Sequence, residues 1–157
     1  MSKVTPATRA LTAAGVGFTV HGYDYDPDAE SIGLQAAAAL GEDPARVLKT
    51  LMALVDGKPT CVIVPSDQEV SMKKLAASVN GKSAQMMKPP EAERVTSFKV
   101  GGISPFGQRK KVATVIEQSA LTHDLVYVNG GQRGLQVRLK PTDVRDVLKA
   151  IVADVLA

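Results

Sequence analysis

Residues 47–65 read VLKTLMALVDGKPTCVIVP, and this stretch decides what kind of sheet the chain can build. Two apolar runs, the second rich in β-branched residues, flank Asp56-Gly57, a pair suited to the left-handed backbone of a two-residue turn. The spacing predicts an antiparallel hairpin. Such a hairpin in mid-chain argues against a doubly wound sheet, whose strands alternate with crossover helices.

The flanking sequence fills in the rest. Thr5-Pro6 predicts an N-cap followed by proline at the first helical position, with Gly15 as the stop. FTVHGY (18–23) alternates as a strand, placing Thr19, His21 and Tyr23 on one face. DYDPDAES (24–31) reads as an acidic loop, and IGLQAAAALG (32–41) as a helix closed by Gly41. Asp43-Pro44 restarts a helical turn. Beyond the hairpin, SMKKLAASVNG (71–81) predicts a helix from Ser71 to a stop at Asn80-Gly81, and PPEAERV (89–95) opens another. VATVIEQ (112–118) and DLVYVN (124–129) read as strands, and GGQRG (130–134) turns the chain back into LQVRLKP (135–141). From Pro141 a last helix is expected, with Val144, Val147, Leu148, Ile151, Val152 and Val155 on one stripe. The pattern predicts one domain over residues 1–157, of mixed α/β (α+β) class, with a mixed or antiparallel sheet.

Bulk properties exclude several classes. At 157 residues and 45% hydrophobic content the chain can bury a substantial core. No apolar run approaches the roughly 20 residues of a membrane span. The N-terminal stretch lacks a signal-peptide core, so a cytoplasmic location is expected. The single cysteine, Cys61, excludes an internal disulfide. A net charge of +3 is too small for a general nucleic-acid coat, although a local basic face could meet phosphates.

Catalytic groups are scarce. His21 and His123 are the only histidines, and neither belongs to a metal-ligand spacing. Cys61, within TCVIV, has the neighbours of a buried, inert strand thiol. VGGISPFGQRKK (100–111) matches neither a GxxxxGK[ST] loop nor a GxGxxG turn. It is either a connector packed by Ile103 and Phe106 with a solvated basic end, or a wall of a pocket. Lys49 stands among apolar residues at the start of a strand. It either extends to solvent or points into a cleft as a fixed cation.

Four segments, YDYDPDAESIG, VLKTL, VGGISPFGQRKK and YVNGGQRGLQVRL, fall in order along nearly the whole chain. Together they resemble the YbaK family of aminoacyl-tRNA deacylases, related to the editing domain of bacterial prolyl-tRNA synthetase. The resemblance implies a curved, barrel-like mixed sheet surrounded by helices. It also implies removal of cysteine from mischarged Cys-tRNA(Pro), with no cofactor and no metal. Mischarged tRNA(Pro) is the implied partner and prolyl-tRNA synthetase the candidate protein partner, with no role for a membrane or DNA. Lys49, Gly101 and Gly102 fall on catalytic positions. Tyr23, Ile32, Thr50, Ile103, Ser104, Pro105, Asn129 and Gly130 fall on substrate-binding positions. Arg109, Lys110, Lys111 and Arg133 form the expected tRNA-binding rim. Ile32 replaces a common pocket aromatic, and Asn129 replaces the serine that usually precedes the Gly-Gly turn. These two departures bear on amino-acid preference.

An aminoacyl-tRNA is an activated ester, so an enzyme with few catalytic groups suffices. A cysteinyl substrate can attack its own carbonyl, leaving the protein to hold the thiol in place and stabilise the oxyanion. Three alternatives stand beside this expectation. One is a deacylase of another small residue such as alanine, using a bound water. The others are a non-catalytic module binding tRNA or the synthetase, and a small-molecule-binding domain.

Overall fold

The computed structural model describes residues 4–29 and 31–157. Helix α1 (Pro6–Ala13) begins as its sequence predicts. The Thr5 hydroxyl accepts from the Thr8 amide at 3.1 Å, and the Thr8 hydroxyl accepts from the Thr5 amide at 2.8 Å. Strand β1 (Thr19–Gly22) follows, then α2 (Ile32–Leu40), capped by Ser31 and closed by left-handed Gly41. A 3₁₀ turn at Pro44–Arg46 leads into the hairpin of β2 (Leu48–Val55) and β3 (Lys58–Pro65). Asp56 and Gly57 both have positive φ, 49° and 80°, and so make the predicted tight turn. The Asp56 carboxylate accepts the Lys82 and Ser83 amides, which hold its carboxyl below the ordinary range and fasten the turn to the chain entering β4.

Next come α3 (Met72–Ser78), the short β4 (Ala84–Met86), α4 (Pro89–Thr96) and β5 (Ala113–Glu117). After a 3₁₀ turn, β6 (Val126–Asn129) and β7 (Leu135–Leu139) form the second hairpin, followed by α5 (Pro141–Leu148) and β8 (Ile151–Ala153). Five strands form a mixed sheet in the order β4-β2-β3-β5-β8, and three form an antiparallel sheet in the order β1-β7-β6. A parallel bridge between Val47 and Tyr127 joins the two, while β1 and β8 each pair on one side only, so the barrel-like wall is open rather than closed.

Strand alternation distributes the core. Cys61 and Ile63 of β3 face the main cluster, where Val126, Val128, Val137 and Leu139 meet them from the small sheet. Val62 and Val64 face the other way, against Leu75 and Ala76 of α3. Tyr23, Val47 and Tyr127 pack with Ala36 and Ala37 of α2 in a third cluster.

The C-terminus differs from the sequence expectation. Helix α5 stops at Leu148 because Lys149 turns left-handed at φ 50° and the Ala150 amide bonds back to Arg145. Ile151 and Val152 therefore do not continue the helical stripe. They form β8, paired in parallel with Val115 and Ile116 of β5, while Val155 joins the cluster behind the large sheet. Helical spacing was imitated by a β-branched strand lying just past the cap.

Candidate active site

Where the 3₁₀ turn delivers the chain into β2, residues 48–52 form the floor of a cleft of about 430 Å³. The first turn of α2, through Ser31 and Ile32, forms one wall. Met86, Met87, Pro89 and Ala92 form another, and Val100, Gly101 and Ile103 of the glycine loop form a third. Asn129 at the end of β6 and Gln136 of β7 complete the lining from the small sheet, where the two are register partners.

Lys49 is mostly enclosed, its side chain only 19% exposed, and it lines the cleft floor. Its Nζ lies 3.8 Å from Glu69 Oε1, too long for a hydrogen bond, so its three donors are uncommitted among the described residues. The next residue, Thr50, has a buried hydroxyl without a protein partner, and the same holds for Gln136 Oε1 and the Tyr23 hydroxyl. Tyr23 sits behind Gln136. Burial raises its pKa, and the neighbouring Gln136 side chain pulls the other way. Buried polar atoms are normally paired. Two of these three orphans belong to residues lining one cleft, beside its cation.

The glycine loop is braced from the small sheet. Asn129 donates from Nδ2 to the Gly101 carbonyl at 3.2 Å and accepts the Gly131 amide at 2.7 Å. Arg133 donates from Nε to the Val100 carbonyl at 2.9 Å and lies over the Tyr25 ring. Gly101 has φ 91°, and a side chain there would strike the Tyr25 hydroxyl. Gly102 packs against the Gln132–Arg133 backbone closely enough to exclude a Cβ.

The structure therefore brings together Lys49, Thr50, Ile32, Gly101, Ile103 and Asn129 on one cleft. Other expected residues lie outside its lining. The Gly102 amide is committed to the Lys99 carbonyl at 2.8 Å, whereas the Gly101 amide has no partner among the described residues. Ser104 is fully buried and accepts the Phe106 amide, and Pro105 lines a separate cleft. The Gly130 carbonyl accepts the Thr5 hydroxyl at 2.6 Å, fastening α1 to the second hairpin. Of the basic residues, Arg133 stands at the glycine loop. Arg109 and Lys110 use their amides to bond the end of α4. Lys110 and Lys111 line two clefts elsewhere, one with Lys58 and Gly81 and one with Phe106 and Leu148.

Sequence reasoning missed Gln136, Glu69 and the Met86–Ala92 wall. A glutamine inside the apolar run LQVRL was a usable signal for the first. Nothing local marked Glu69. Cys61 is buried, and burial pushes its thiol up to about 12, as expected of an inert core cysteine. Among the described residues no cluster of His, Cys, Asp and Glu could hold a metal, and no helix is long and apolar enough to cross a membrane.

The two-sheet α/β fold thus gathers a lysine with uncommitted donors, a braced glycine loop and two unpartnered buried oxygens on one cleft. The aminoacyl-tRNA editing domain model matches residues 26–147, so the chain belongs to that family, whose activity is deacylation of aminoacyl-tRNA. A protein of Enterococcus faecalis, EbsC, provisionally named a Cys-tRNA(Pro)/Cys-tRNA(Cys) deacylase, is 28% identical over 155 residues, covering 96% of this chain and 92% of its own. The proline–tRNA ligase of Geobacillus thermodenitrificans is 31% identical over 96 residues, covering 61% of this chain and 16% of the ligase. Among solved structures, a protein provisionally described as a trans-editing enzyme for prolyl-tRNA synthetase superposes with a TM-score of 0.84 at 23% identity. That match covers 98% of this chain and 99% of the other.

Proposed function

We propose that this protein is a trans-editing deacylase that removes cysteine from mischarged Cys-tRNA(Pro), with the substrate's own thiol as nucleophile. The observation that carries the reading is a cleft in which two buried hydrogen-bonding atoms, Thr50 Oγ1 and Gln136 Oε1, lack partners beside a lysine, with no cysteine or histidine lining it among the described residues. Its apolar surfaces, from Leu48, Met52, Ile103 and Ala92, suit a small side chain. Similarity to EbsC and to the trans-editing structure supports the cysteine and prolyl assignments.

In this reading Lys49 and the free Gly101 amide hold the carbonyl oxygen and stabilise the oxyanion. The cysteine sulfur attacks the carbonyl carbon, a C–S bond forms, and the C–O bond to the terminal ribose breaks. The proton released by the thiol goes to the departing ribose oxygen. The products are free tRNA and cysteine thiolactone, which water later opens. Thr50 and Gln136 hydrogen-bond the aminoacyl-adenosine end, while Ile32 and Asn129 tune side-chain preference. Arg133 meets phosphate near the cleft, and Arg109, Lys110 and Lys111 meet it further off. The protein acts as one domain in the cytoplasm, with prolyl-tRNA synthetase as its partner.

Deacylation of Cys-, Ala-, Ser- and Pro-charged tRNA(Pro), measured side by side, tests the reading. Cysteine should leave fastest, and rapid quenching should trap thiolactone first. Faster alanine release would make the nucleophile a water molecule, and tRNA binding without turnover would make the protein a binding module.

A further inference from the structure

The carboxylate of Glu69 has no role in the deacylation chemistry, yet it is the only acidic side chain on the cleft lining among the described residues. We infer that Glu69 is the receptor for the substrate's α-ammonium group, working with Lys49 as a two-point reader of α-amino esters. The inference rests on the deacylase reading and names what that site recognises.

An α-amino ester presents a carbonyl oxygen, electron-rich, beside a protonated amine. Two bonds to Cα and one C=O bond separate them, so nitrogen and oxygen lie about 3 Å apart. The protein presents the complement, a lysine ammonium and a glutamate carboxylate 3.8 Å apart at the same cleft. Lys49 alone would repel the substrate's amine. A neutral acceptor such as Gln136 Oε1 cannot offset that charge, whereas Glu69 can.

Glu69 is 87% exposed, but its backbone is not loose. The C-terminal segment straps the loop that carries it. The Glu69 carbonyl accepts the Ala157 amide at 2.9 Å, Val70 bridges Leu156, and the Ser71 amide donates to Val155 at 2.8 Å. Lys74 ties down the same segment through Asp154 and the Leu156 carbonyl. The loop is thereby fixed at the mouth of the cleft while the carboxylate stays free to meet a ligand.

The test compares Cys-tRNA(Pro) with N-acetyl-Cys-tRNA(Pro), in which the amine can no longer carry charge, at a slightly acidic pH where the free amine is protonated. If alanine proves the better leaving residue, the Ala pair is used instead. Wild type should prefer the free amine. Glu69→Gln should raise KM for the free-amine substrate about two- to fivefold, leave its kcat within about twofold, and leave the acetylated substrate unchanged. Glu69→Asp should recover part of the preference. Equal loss on both substrates would mean Glu69 acts only by holding Lys49, and would overturn the assignment. So would an unchanged ratio, or a wild type indifferent to acetylation. A wild type that releases no amino acid from any charged tRNA would instead defeat the deacylase reading, and this inference with it.

Discussion

Two clefts of similar volume, about 490 and 430 Å³, lie at opposite ends of β2 and differ in what their walls contain. The one at the Val55 end is lined by Lys58, Lys110 and Lys111 with Asp56, whose carboxylate is already satisfied by two backbone amides. Its charges are exposed and need nothing further. At the Lys49 end the lysine side chain is mostly enclosed, and the Thr50 hydroxyl and Gln136 oxygen are buried without partners. Water solvates an exposed lysine freely, whereas a buried unpaired acceptor costs about 1–3 kcal/mol until a ligand completes it. Unmade hydrogen bonds, not volume or charge, distinguish the candidate cleft from the basic one.

The sharpest way to break this contrast is Lys49→Ala. Removing a charged interaction used in the transition state costs about 1.5–3 kcal/mol, so turnover should fall about tenfold to 150-fold with Tm nearly unchanged. Near-normal turnover by a folded variant would mean the chemistry lies elsewhere. Gly101→Ala should follow. A Cβ at φ 91° is strained by about 1–3 kcal/mol and strikes Tyr25, so the loop must shift and carry the free amide with it. A loss of about tenfold to a hundredfold is expected, read as kcat with KM measured alongside. If only Tm falls, the loop is a connector.

Thr50→Val sharpens the contrast from the stability side. Valine keeps the shape and removes the orphaned hydroxyl. The free protein should be unchanged or stabilised by up to about 1 kcal/mol, which raises Tm by about 2–4 °C for a chain of this length. Deacylation should fall about tenfold. A residue that costs stability and serves activity is what a binding site leaves behind. A fall in both would show that the hydroxyl is satisfied inside the protein.

The parts legible in the sequence were those set by local backbone chemistry. Asp56-Gly57 supplies the positive φ of a tight turn, Thr5 and Ser71 cap helices with their hydroxyls, and Gly41 closes one. Each needs only its near neighbours. Lys49, Thr50 and Gly101 were found on the cleft because the segments carrying them resemble a known family. What failed depends on distant partners. Ile151 and Val152 keep helical spacing from Leu148, and only their pairing with β5 makes them a strand. Gln136 reaches the cleft because β7 pairs with β6 opposite Asn129. Glu69 arrives because the last residues of the chain hold its loop. Gly102 was placed with Gly101 by the same family resemblance. Its amide is already committed to Lys99, a detail no residue type reveals.

The smallest effect on chemistry should come from the basic cleft itself. Val55 lies six residues along β2 from Lys49, roughly 20 Å at the rise of a strand. A lysine that far from the ester can meet the tRNA body but not the reacting atoms. Lys110→Ala with Lys111→Ala should therefore weaken tRNA binding by the same factor whichever amino acid is attached, and should leave single-turnover rates at saturation unchanged. Removing each lysine–phosphate interaction should flatten the slope of log affinity against log salt by roughly 0.7 on a single strand and 0.9 on a duplex. The slope thus also reports which part of the tRNA lies there. An unchanged slope would make these lysines a solvated surface. A change in amino-acid preference would carry more weight, because it would mean the two ends of β2 act as one site and that unmade hydrogen bonds are not what separates them.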